Sequence, residues 1–177
     1  MSLTDRELWA VIHGMGLGAL FLLAFGGGLA GLWSLRSGLL TSEGIQERAP
    51  RLLIGTTVMA GIAWLTCLVG TWIVYPWYRA APPEGTTDLT KFPRSLLLSS
   101  PDTAEWHSFG MEWKEHVAWL APILATAVAF AVLYYGSQLI QRGEIRRAAI
   151  VFFALAFAAA GVAGLFGALI TKAAPVQ

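Results

Sequence analysis

Four stretches of this chain carry no Asp, Glu, Lys or Arg: Leu8 to Leu35, Leu52 to Tyr78, His116 to Gln141 and Ala148 to Thr171. Each is longer than the roughly 20 residues needed to cross the hydrocarbon core of a bilayer. Backbone N–H and C=O groups find no water there, so such a stretch must satisfy them within itself as a helix. Strands that span a membrane are about half as long and alternate in polarity. The composition agrees, with 56% of residues hydrophobic and 13% charged, where a soluble domain is about a quarter charged. The fold class that follows is all-α, an integral membrane four-helix bundle. It forms a single transmembrane domain over residues 1–177, with spans at about 8–35, 52–75, 116–141 and 148–171 and an outer loop over 79–115. The first run is read as a retained helix, because its apolar stretch is about twice a signal-peptide core and Asp5-Arg6-Glu7 gives no net positive leader.

Charge sets the expected orientation. Arg36, Arg48 and Arg51 lie in the first connection and Arg142, Arg146 and Arg147 in the third, all near span ends, which assigns these loops to the cytoplasm. The long second connection dilutes Arg79, Lys91, Arg94 and Lys114 with six acidic residues. It therefore faces outward, as do both termini. The setting expected is a bacterial inner (cytoplasmic) membrane, with membrane lipid and other subunits of a membrane complex as partners. A net charge of +1 implies no nucleic acid. The single cysteine, Cys67, excludes an intramolecular disulfide, a Cys-x-x-Cys-His haem attachment and a thiolate cluster. Within the outer connection, Trp106, Phe109, Gly110 and Trp113 recur at i, i+3, i+4, i+7, which predicts a short amphipathic helix over Thr103 to Glu115 lying on the outer membrane surface, between helices 2 and 3.

Histidine is the chain's scarce chemical resource. His13 and His116 fall about four and three residues beyond Trp9 and Trp113, so both are expected roughly 5 Å inside the outer interface. Equal depth on two helices is what bis-imidazole ligation of one haem iron needs, and an ionisable residue in a span is a functional hypothesis by default. Gly14, Gly16 and Gly18 would let a flat macrocycle approach the helix, and Arg79 and Lys114 would meet its propionates. The same glycines also suit ordinary close packing, as do Gly26 to Gly28 and the Gly161, Gly164, Gly167 ladder. A second constellation, His107, Met111, Glu112, Glu115 and His116, has metal-ligand chemistry at helical spacing, and equally describes a solvated helix face. A third, the cluster of Tyr75, Pro76, Trp77, Tyr78 and Arg79 with His107, offers the apolar slot and hydrogen-bond partners that a quinone headgroup needs, and equally the residues of interfacial anchoring. Glycine-rich phosphate loops, nucleophile elbows and intramembrane carboxylates are absent, which removes the usual carriers of phosphate chemistry, acyl transfer and carboxylate-coupled transport.

With His13 and His116 on hydrophobic helices, the chain resembles the small four- or five-helix b-type cytochrome subunits that anchor respiratory oxidoreductases to bacterial membranes. The resemblance implies an electron-transfer subunit holding one haem b, ligated by His13 and His116. Electrons would pass between a quinone pool and an outer-face redox partner. The alternative is a non-catalytic structural subunit of a larger respiratory or photosynthetic complex, in which a single histidine would ligate a chlorophyll magnesium instead of iron.

Overall fold

The computed structural model describes residues 3–39 and 41–176, with Ser37 described by its backbone alone. In chain order the helices are α1 (Asp5–Ser34), α2 (Ser42–Arg79), the short α3 (Pro93–Leu98), α4 (Pro101–Ile140) and α5 (Gly143–Ala173). All but α3 are long and apolar enough to cross a membrane, and no strand occurs among the described residues. Their ends follow local chemistry. Thr4 begins α1 with a capping box, its hydroxyl accepting from the Glu7 N–H while the Glu7 carboxylate accepts from the Thr4 N–H at 2.7 Å. Thr41 and Ser100 accept in the same way at the starts of α2 and α4.

The helices run beyond the charge-free stretches. α2 begins at Ser42, ahead of the expected start near residue 52, because polar residues and the exposed Glu47–Arg51 pair at 3.5 Å are compatible with helix outside the hydrocarbon. α4 starts at Pro101 and takes in the segment expected to lie on the membrane surface. The stripe is genuine, but it packs on protein. Gly110 and Met111 are buried, and the Phe166 ring lies 3.3 Å from where a Gly110 Cβ would stand, edge-on to Phe109. Thr103 to Glu115 is thus the opening part of α4, with Phe109 58% exposed. The helix present in the connection is α3, whose Leu97 is fully buried.

The chain divides into two compact units, and all four long helices contribute to each. One unit draws on the chain up to Ala19, on Leu65–Trp119 and on the chain from Ala160; the other comprises Leu20–Trp64 and Leu120–Ala159. In the second unit Phe25 stacks on Phe153 and Phe157 with centroids 4.7 and 4.3 Å apart, and Gly28 makes room for Phe153. Gly31 does the same for Leu52, and Trp64 donates to the Thr126 hydroxyl at 3.0 Å. Here α1 meets α2 and α5, while α2 meets α4. Of the run Gly26 to Gly28 only Gly28 has a neighbour within 4 Å of its would-be Cβ, since a 3.6-residue repeat turns just one of three successive positions inward. The turn into α5 is closed by Arg146, whose Nη1 donates to the carbonyls of Leu35, Leu139 and Ile140 at 2.7, 3.1 and 3.2 Å.

Candidate functional site

The first unit departs from regular helix at four places. Ile12–Leu17 in α1, Gly70–Val74 in α2, and Trp106–Met111 and Trp113–Val117 in α4 are π-helical, and all four lie in this unit. π-helical residues are well under 1% of globular structure, and such bulges collect at functional sites because the widened turn re-aims side chains and carbonyls. Each of the three histidines stands in one of them.

His13 faces α2. Its ring rests on Gly70, where a Cβ would lie 2.7 Å from Cε1. The ring is hydrogen-bonded to the backbone of Thr66 while Nδ1 is buried without a partner among the described residues, so Nε2–H is the donor and Nδ1 carries an unused lone pair. Gly70 is a site residue that the sequence does not advertise. The glycines beside the histidine play no such part: Gly14 has nothing within 4 Å of a would-be Cβ, and Gly16 only a backbone oxygen at 3.9 Å. Lys114 is also turned inward. Its ammonium donates to the Ala163 carbonyl at 3.3 Å and sits 2.9 Å from a would-be Gly167 Cβ, with Cys67 and His13 as electrostatic neighbours and no carboxylate paired with it among the described residues. That geometry does not offer the ammonium to a propionate at the outer face.

His116 is placed otherwise. Its side chain is 70% exposed, and Nδ1 lies 3.1 Å from the Glu112 carbonyl and 3.3 Å from the Glu112 carboxylate, one turn back on the same helix. A bis-histidine haem requires two imidazoles that present lone pairs across a common slot. One of these rings is packed on Gly70 and the other is held on its own helix. As placed, His13 and His116 do not fit that group. Among the described residues, no three His, Cys, Asp or Glu side chains are gathered to hold a metal, so Glu112 and His116 stand as an i, i+4 pair.

The third constellation is brought together. Tyr78 Oη and His107 Nδ1 are 2.8 Å apart, and the Tyr75 and Tyr78 rings stack with centroids 6.2 Å apart. The Arg79 guanidinium lies 5.3 Å from the Tyr75 ring centre, and the Tyr75 hydroxyl is hydrogen-bonded to Glu115. Tyr78 is buried with Leu97, Met111, Ile170 and Ala174, and Leu96 and Trp106 pack around them. Arg94, from α3, is an electrostatic neighbour of both Tyr78 and His107, and its Nε is buried without a hydrogen-bond partner among the described residues. Arg94 and Glu115 join this site only through the tertiary fold. A charged residue in the outer loop carries no sequence signal that says which tyrosine it faces.

Fold and site together define a multi-pass membrane protein with an aromatic and polar cluster in one of its two units. Comparison with protein-family models, with curated proteins and with solved structures gives no match.

Proposed function

We infer that the chain is an electron-transfer subunit of a bacterial inner-membrane complex and that its site takes the headgroup of a quinone at Tyr75, Tyr78 and His107. The observation that carries the reading is the 2.8 Å hydrogen bond between Tyr78 and His107 within an apolar cluster. A phenol is the better donor and an imidazole nitrogen the better acceptor, so Tyr78 donates to Nδ1 and the ring proton resides on Nε2. That N–H is the donor for a quinone carbonyl. A quinol oxidised there gives up two electrons and two protons; with Nε2 of His107 already protonated, the Glu115 carboxylate beside Tyr75 is the first proton acceptor and outer water the second, and the electrons pass to an outer-face redox partner. The arginine-rich connections face the cytoplasm in this reading. A haem between His13 and His116 is not part of it, because the two rings are not disposed to share an iron.

The test is titration of the full chain in nanodiscs with a short-chain quinone, followed by quenching of tryptophan fluorescence. Tyr78→Phe and His107→Gln should each weaken binding about fivefold, the worth of one hydrogen bond of about 1 kcal/mol. Equal affinity in the parent and both variants, or no binding by the parent, sinks the reading and promotes the structural subunit.

A further inference from the structure

A hollow of about 420 Å³ lies in the second unit, lined by Trp33, Arg36, Arg146, Arg147, Ile150 and Val151. Its polar wall holds three guanidinium groups, and no carboxylate among the described residues pairs with any of them. Arg146 is committed, since its Nη1 bonds three helix-end carbonyls. Arg36 lies 4.0 Å over the Trp33 ring, and its Nε is buried without a hydrogen-bond partner among the described residues. Arg147 is exposed. The rest of the lining is apolar, with Trp33 57% and Val151 54% exposed. Trp33 stands two residues before the end of one charge-free run and Ile150 two residues after the start of another, so the hollow sits where hydrocarbon gives way to headgroups.

An occupant must satisfy both walls. Guanidinium groups bind phosphate oxygens in pairs through charge-assisted hydrogen bonds, and basic pockets between transmembrane helices take anionic head groups. Inorganic phosphate offers the charge but nothing for Trp33, Ile150 and Val151 to cover. We propose that this hollow is a binding site for the phosphate of an anionic diacyl phospholipid, with Arg36 and Arg147 on the phosphate, Arg146 holding the helix ends beneath it, and the acyl chains along Ile150 and Val151. The site is independent of the quinone reading, because none of its residues belongs to that cluster.

The experiment is native mass spectrometry of the full chain released from detergent with equal phosphatidylglycerol and phosphatidylcholine, alongside thermal melts with each lipid. Phosphatidylglycerol should be retained in preference and should raise the melting temperature more. Arg36→Gln with Arg147→Gln should weaken its retention about thirtyfold, from two lost basic contacts near the surface. Arg51→Gln, which removes one positive charge from an exposed pair with Glu47, should leave retention unchanged. Should the double variant fail to fold, the parent's melts still decide, and Arg36→Lys with Arg147→Lys should keep the preference. Equal retention of the two lipids, or a preference that survives the double Gln variant, overturns the proposal. So does displacement of the lipid by millimolar inorganic phosphate, which would make this a site for free phosphate.

Discussion

Gly70→Ala is the sharpest perturbation of the first unit. A Cβ there would stand 2.7 Å from Cε1 of His13, 3.2 Å from Nε2 and 3.4 Å from Nδ1. The obstacle is the distal edge of a planar ring that is hydrogen-bonded to Thr66, so the methyl group must either rotate the imidazole off that bond or part α1 from α2. Overpacking of this kind costs about 1–3 kcal/mol and the lost hydrogen bond about another 1, against a helix-propensity gain of about 1 for replacing glycine. The expected net is about 1–3 kcal/mol of destabilisation. Reversible unfolding in mixed detergent micelles, followed by far-ultraviolet circular dichroism, reads the difference. Gly14→Ala and Gly61→Ala, whose would-be Cβ atoms have nothing within 4 Å, serve as controls and should be neutral or mildly stabilising. In a His13→Ala background the penalty should vanish, because the ring that creates it is gone. If Gly70→Ala behaves like Gly14→Ala, or is as damaging without His13 as with it, the packing argument is wrong.

Lys114→Met keeps the stem and removes an inward-turned charge whose hydrogen-bond acceptor is a carbonyl, so the same unfolding assay should show about 1–3 kcal/mol of added stability; a loss would mean that the ammonium holds more than Ala163. Arg146→Met strips one donor from the carbonyls of Leu35, Leu139 and Ile140 and should destabilise by about 2–3 kcal/mol, less where water replaces the bonds. Single cysteines at Thr41 and Gly143, in a Cys67→Ala background, should react with an impermeant maleimide from the cytoplasmic side only, and one at Thr87 from the outside only. Labelling of Thr41 from outside would reverse the orientation drawn from the arginines.

Four spans and the chemistry of their ends were legible residue by residue, because partition into a bilayer depends on what each residue is and not on what it faces. A charge-free run such as Ala148 to Thr171 has to be a helix whatever surrounds it. The facing of side chains is another matter. Where nearly every position is apolar, no polar stripe marks the outward face, so the 3.6-residue period tells little about which side packs. That is why the sequence points to the glycines next to His13 while Gly70, in another helix, makes the contact, and why the stripe at Phe109 and Trp113 reads as membrane-facing although Phe166 packs on both rings. The Tyr78–His107 pair was nameable from residue chemistry, but bringing Arg94 and Glu115 to it, turning Lys114 inward and leaving His116 exposed were decided by the packing of helices and by their π-helical turns. Those turns shift the ladder by one residue in response to contacts made by distant parts of the chain, and no local sequence pattern records them.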